Sequence, residues 1–468
     1  MIPFNQEEEN ARKPLFGLPR FIVGRMHIEL PSDVKTIISR IEAAGFEAYA
    51  VGGCVRDSLL GREPNDWDIT TSAKPTEIKK LFKRTVDTGI RHGTVTVLMQ
   101  GNTYEVTTYR VDGIYEDARH PSSVSFTDVL TEDLRRRDFT INALAYNETK
   151  GLVDEFDGIG DLERKVIRAV GDPSDRFSED ALRMMRAVRF AAQLGYTIED
   201  KTAAAIRVHA ANLSKVSAER IMTELTKLIT SDHPEMLRDA YELGLTARFF
   251  PEFDRCMNTP QNIIHHCYNV GEHILHTMMA SRPDRVIRFS LMLHDIAKPN
   301  VLTVDEDGII HNKGHAAVGA DMARDILHRL KSDNDLINIV TKLITYHDWR
   351  IQDNKKSVRK AASTLGHELF PLLLEVQRAD VAGQSDYMRE EKYEKLDNIT
   401  RLYEEILKDN EAISVKDLAV SGKDLIEAGM EEGSRIGDTL KLMLEHVLEV
   451  PGDNTKEKLL TFVRSGSW

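Results

Sequence analysis

Cysteine is scarce in this chain of 468 residues: Cys54, Cys256 and Cys267 form an odd, scattered set without metal-ligand spacing. That excludes a disulfide framework and a cysteine-built zinc site, and it predicts a reducing, cytoplasmic home. Long apolar runs are missing too. The run Leu369–Leu374 is closed by Glu368 and Glu375, far short of the roughly 18 apolar residues that a membrane span needs. Met1–Pro14 is polar and Glu-rich, without the apolar stretch of a signal peptide. Neither internal repeats nor low-complexity segments occur. No excess of basic residues exists: 62 Lys and Arg face 75 Asp and Glu, a net charge of −13. This weighs against a nucleic-acid partner, because phosphate binding needs cations. Net charge is an average, however, and acidic stretches such as Glu390–Asp397 and Glu404–Glu411 can hide a basic groove elsewhere.

What is present is a globular composition, 41% hydrophobic and 29% charged, in a chain long enough for about two to four domains. The first third reads as mixed α/β. Ala48–Gly52 is an apolar strand running into a Gly-Gly turn, and Thr94–Met99 and Tyr104–Tyr109 form a hairpin around Gln100-Gly101-Asn102. Pro75–Phe82 reads as a short helix capped by Ser72 or Thr76. From about Gly171 the period is helical. Glu179–Leu194 ends at Gly195, and further helices are expected at Ala218–Ile229, His266–Met279, Val286–His294, Ala316–Leu330 and Leu336–Tyr346. Turn-rich Gly151–Gly160 and Pro251–Pro260 are candidate boundaries.

Chemistry concentrates in Val51-Gly52-Gly53-Cys54-Val55-Arg56-Asp57 and the following Asp66-Trp67-Asp68. A glycine pair after a strand lets backbone N–H groups approach a phosphate, and Arg56 can add a charge. In extended chain, residues i and i+2 face one side, so Asp66 and Asp68 converge. Two neighbouring carboxylates suit a hard divalent cation such as Mg²⁺, and Glu105 is a candidate third. Either motif alone would also read as a solvated turn.

Taken together, these residues resemble the head of the class II tRNA nucleotidyltransferase and poly(A) polymerase family. Four later segments match the same pattern in order: Arg91-His92-Gly93-Thr94-Val95, the loop Asp117–Phe126, Arg136–Ala143, and Glu179-Asp180-Ala181-Leu182-Arg183. The resemblance covers about residues 25 to 255. It implies that Asp66 and Asp68 hold Mg²⁺, while Gly53 and Arg56 contact a triphosphate. Arg137, Asp138 and Asn142 would lie near sugar and phosphates. Asp180 and Arg183 would offer an acceptor and a donor fork to the base of CTP or ATP, with Arg186 and Arg189 facing triphosphate or RNA. A family member of this kind adds C, C and A to the 3′ end of tRNA without a nucleic-acid template. The alternatives are a poly(A) polymerase or an enzyme that adds only the final A.

A second constellation follows. His294-Asp295 closes an apolar helix, with His266 upstream and His315, His347 and Asp380 downstream. This order resembles the HD superfamily of metal-dependent phosphohydrolases over residues 262 to 385. It implies a site built from His266, His294, Asp295 and Asp380 for a transition ion (Mn, Ni, Fe or Co), with His315 and His347 available for a second. His265, His273 and His276 read as helix residues outside this set. A reading of another class makes this hydrolase the real activity, with the head as an RNA-binding module. The expected fold is α+β: an extension (1–24), a nucleotidyltransferase head on a mixed sheet of about five strands (25–150), an all-α neck that reads RNA and substrate (151–258), an HD domain (259–388) and a helical tail (389–468). The expected partners are tRNA, CTP and ATP, with no DNA and no membrane; oligomeric state is not legible.

Overall fold

The computed structural model describes residues 27–113, 124–261 and 267–465. The chain divides into two compact units, Met1–Val216 and Ser217–Trp468. The division falls inside the stretch 151–258 expected to form one neck.

The first unit opens with helix α1 (Ser32–Ala43), whose Val34, Ile37, Ile38 and Ile41 recur at helical spacing and are all buried. The strands that follow are β1 (Ala48–Val51), β2 (Ile69–Thr71), β3 (Thr85–Gly89), β4 (Thr94–Met99), β5 (Asn102–Thr108), β6 (Arg110–Asp112), β7 (Val124–Phe126), β8 (Leu144–Asn147) and β9 (Gly151–Asp154). Seven of them form one sheet in the order β3-β4-β5-β2-β1-β8-β9. Only β2 and β5 pair in parallel, so the sheet is mixed. The β4–β5 hairpin turns at Gln100 (φ 49°) and Gly101 (φ 88°), both left-handed, as a two-residue turn that follows the strand twist requires. Tyr49, Val51, Tyr109, Leu134, Ala143, Ala145 and Val170 form an apolar cluster within this unit.

Helices α2 (Gly53–Leu59), α3 (Pro75–Leu81), α4 (Leu130–Arg135), α5 (Gly158–Arg164), α6 (Pro173–Glu179) and α7 (Leu182–Leu194) complete what positions the site. Four expectations are corrected. The sheet has seven strands rather than about five. Gly151–Gly160 is no boundary, because Gly151–Asp154 pairs with β8. The helix expected over Glu179–Leu194 breaks at Asp180 (φ −139°, ψ 105°), whose side chain accepts the Leu182 N–H and thereby ends α6 and opens α7. Helix α3 is entered from Lys74 with no side-chain cap, so neither Ser72 nor Thr76 serves.

Among its described residues the second unit is helical apart from the small pair Thr303–Val304 and Ile310–His311. Helix Val270–Met279 starts at the N-cap Asn269, which accepts the Glu272 N–H, later than the His266 start expected. Around Leu343, Phe370, Leu373 and Ile399 lies one apolar core, and around Leu425, Met443 and Val447 another. No described helix is long and apolar enough to cross a membrane.

Candidate functional site

Gly52 leaves β1 at φ 84°, ψ −129°, a conformation that a side chain resists. A Cβ there would also stand 3.0 Å from Arg137 Nη1, so the glycine both turns the chain and lets this guanidinium approach. Arg137 is tied at its other end: Nη2 donates to Asp133 Oδ2 (3.4 Å), which also accepts from Thr70 Oγ1 (3.0 Å). Its Nε is buried without a hydrogen-bond partner, a donor suited to an incoming phosphate oxygen. Asp133 is fully buried, and against the cost of burial Arg136 and Arg137 hold its carboxyl below the usual range. Sequence reading missed Asp133; its position one turn before Arg136 and Arg137 was the available signal.

Asp66 and Asp68 lie in the extended lead into β2 rather than within it, and the Asp68 carbonyl accepts the Val51 N–H (3.0 Å). Asp68 is pushed up to about 6, by partial burial first and then by Asp66 and Glu105, against the pull of Arg137. Asp68 therefore feels both of the other carboxylates. Among the described residues they do not gather within 4.8 Å of each other, so they are not a closed cage. Hard oxygens that repel until a cation arrives fit Mg²⁺, which keeps its waters and binds through few carboxylates plus substrate phosphates.

Behind this front runs a polar chain. Arg186 Nε and Nη2 reach Asp138 Oδ2 at 2.7 and 2.6 Å. Asp138 Oδ1 accepts from the Phe139 N–H (2.9 Å) and Asn142 Nδ2 (3.3 Å). Asn142 Oδ1 accepts from Arg56 Nη1 (2.7 Å), and Arg56 is bidentate on Asp57. Against the cost of burial, Arg186 and Arg183 hold Asp138 well below the usual carboxylate range. Arg183 donates to Glu179 Oε2 (2.7 Å) and to the Arg136 carbonyl (2.9 Å). Asp180 and Arg183 thus stand at the junction of α6 and α7, not on a single helix. Arg189 is buried and donates to Gln193 Oε1 (2.9 Å). Gly53 opens α2. The loop Asp117–Phe126 lies outside the described residues except for its end in β7.

In the second unit six side chains converge. His273 Nε2 is 3.3 Å from His294 Nε2, 3.3 Å from Asp295 Oδ2 and 2.9 Å from Asp380 Oδ1. His294 Nε2 is 3.2 Å from Asp295 Oδ2. On the other side His315 Nε2 is 3.1 Å from His347 Nε2 and 3.4 Å from Asp295 Oδ1. Each Nδ1 faces a backbone carbonyl, of Gly383, Leu291, Asn312 and Ile344 respectively. A carbonyl only accepts, so Nδ1 carries a proton in each ring, and the Nε2 atoms face each other in two pairs, His273 with His294 and His315 with His347. Facing ring nitrogens beside two carboxylates favour positive charge between them, whether a proton or a metal ion. Although burial opposes it, Asp295 and Asp380 carry His294 up to about 10. Burial holds His315 below its usual value.

His273 is a correction: read from sequence as outside the set, it sits within the cluster, beside His294, Asp295 and Asp380. It shares a helix face with buried Val270 and Thr277, which was the signal to follow. The Gly383 carbonyl reaches it because a Cβ on Gly383 would stand 2.6 Å from Thr277 Cγ2. His266 lies outside the described residues. Lys298, also missed, is buried with Nζ 2.6 Å from Asp295 Oδ2.

Comparison with known proteins adds the family. Residues 48–168 match the poly A polymerase head domain, 195–257 the RNA and SrmB-binding site of polymerase A, and 315–463 tRNA nucleotidyltransferase domain 2. A CCA-adding enzyme of Limosilactobacillus fermentum is 58% identical over 208 residues, 44% of this chain and 52% of that protein. One of Lactiplantibacillus plantarum is 56% identical over 44% of this chain and 51% of its own length, so the chain spans about half the length of these relatives. One of Streptococcus thermophilus is 35% identical over 93% of this chain and 98% of its own. A crystal structure of the Bacillus stearothermophilus CCA-adding enzyme in complex with CTP superposes with a TM-score of 0.68 at 29% identity, covering 92% and 96% of the two chains. The α+β fold, a mixed-sheet head followed by a helical region, matches that of this solved structure. By its near full-length match to the streptococcal protein, the chain belongs to the family of CCA-adding enzymes.

Proposed function

We propose that this protein transfers nucleotides from CTP and ATP to the 3′ end of tRNA, completing its CCA terminus and releasing pyrophosphate. The observation that carries the reading is the Asp68 carboxylate, which feels Asp66, Glu105 and the Arg137 guanidinium that lies against Gly52, in a chain aligned along 98% of a CCA-adding enzyme. Mg²⁺ held by Asp66 and Asp68, with Glu105 beside them, would supply activation of the 3′-hydroxyl and neutralise the leaving charge. The protein's own part is positioning. The N–H groups of the Gly52-Gly53 turn and the guanidiniums of Arg56 and Arg137 hold the triphosphate in line, so that electrostatic preorganisation lowers the barrier. Asp138 and Asn142 fix Arg186 and Arg56 behind the sugar. Asp180 and Arg183 present a carboxylate and a fork to the base, which selects C or A without a template. We assign the work to the cytoplasm, where tRNA and nucleoside triphosphates meet. The direct test is extension of a tRNA that lacks its CCA. Asp66→Ala should reduce addition by at least about a thousandfold, and a variant with undiminished addition would overturn the assignment.

The convergent cluster supports a second activity, hydrolysis of a phosphate ester at an HD-type domain spanning about 259–388. His273, His294, Asp295 and Asp380 would hold one transition ion, and His315 and His347 with the other oxygen of Asp295 a second. Imidazole nitrogens with carboxylates suit Mn, Fe, Co or Ni. Asp295→Ala should remove hydrolysis of a model phosphate ester and leave nucleotide addition intact; hydrolysis that survives would overturn this second reading.

A further inference from the structure

Three guanidiniums surround one phenylalanine. The Cζ atoms of Arg189, Arg56 and Arg186 lie 3.5, 5.1 and 5.4 Å from the centroid of the Phe190 ring. Like charges this close repel. Asp57 offsets Arg56, Asp138 offsets Arg186, and Arg189 donates to a neutral amide of Gln193. The negative face of the aromatic ring attracts all three guanidiniums to one place, and this attraction is strongest where water is excluded. Phe190 is 5% exposed, and Phe139 meets it edge-on at 5.8 Å and 80°.

The cations come from two places. Arg56 belongs to α2, which springs from the Gly52-Gly53 turn; Arg186 and Arg189 belong to α7, which opens beside Asp180 and Arg183. The ring therefore ties the phosphate-binding turn to the base-reading helix, in parallel with the chain Arg186–Asp138–Asn142–Arg56. We infer that Phe190 is a positioning residue, whose ring gathers three arginines so that triphosphate binding and base selection keep one register. This rests on the nucleotidyl-transfer reading above. A carboxylate in its place would cancel the positive charge a triphosphate needs, and an aliphatic residue would fill the space without balancing it.

The test separates charge from shape. In the full chain, Phe190 is replaced by pentafluorophenylalanine, which keeps the ring but removes its negative face, and by leucine and tyrosine. Equilibrium binding of CTP, ATP and UTP is then measured alongside thermal unfolding. The fluorinated ring and Phe190→Leu should each weaken CTP and ATP by about tenfold or more and narrow their preference over UTP. Phe190→Tyr should stay within about threefold of wild type. Should Phe190→Leu fail to fold, the fluorinated chain decides alone. Wild-type affinity and selectivity in the fluorinated chain overturn the role of Phe190 and leave the transferase reading standing. A wild-type chain that binds neither CTP nor ATP overturns both.

Discussion

Asp138 shows how much of this site is internal architecture. Both its oxygens are engaged, by Arg186 on one side and by Phe139 N–H and Asn142 on the other. Its carboxyl is held below the usual 3.8, so it binds fewer protons folded than unfolded. The stability it contributes is present above that value and is lost as pH falls through the folded pKa. Asp138→Asn should therefore cost on the order of 3 kcal/mol at pH 7, seen by urea unfolding, with the gap to wild type closing as pH drops below about 4. Gly52→Ala should lose about 1–3 kcal/mol through backbone strain. It should also impair nucleotide addition, because the new methyl displaces Arg137; an alanine variant of unchanged activity would detach Arg137 from the site. Asp66, Asp68, Gly53 and Arg56 stand out in the sequence because their spacing is local. Asp133 and Phe190 do not, since Asp133 meets Thr70, 63 residues away, and Phe190 meets Arg56 from another helix.

Elements were legible where one face is buried. Ala218–Ile229 forms over the residues its apolar period marks, and the Gln100-Gly101 turn sets the β4–β5 register. The sheet was undercounted because its two edge strands carry no alternating signal: β3 reads Thr-Val-Asp-Thr-Gly and is mostly exposed, and β9 begins on glycine. Helix Val270–Met279 begins later than its apolar period suggests, which places His273 in its first turn. The two-sided cluster makes a sharp prediction at this scale. Elemental analysis of the purified chain should find about two transition ions per chain. His315→Ala should lose one and His273→Ala the other, while Asp295→Ala, which faces both sides, should lose both. Loss of both ions from His315→Ala alone would rule out two separable positions.

For the whole molecule the net charge of −13 is an average that hides local groupings such as the three arginines around Phe190. The change from mixed α/β to helix was visible in the period of the sequence, whereas the division after Val216 was not, since no proline- or glycine-rich linker marks it. The two sites belong to different units. Damage to one should leave the other working: Asp66→Ala should retain the metal content of the histidine cluster, and Asp295→Ala should retain nucleotide addition. The most direct measurement is extension of a tRNA lacking its CCA, resolved to single nucleotides, with CTP alone, ATP alone and both. The account predicts arrest after two C residues with CTP and one further A with both. A long A tail from ATP alone on any RNA would contradict it.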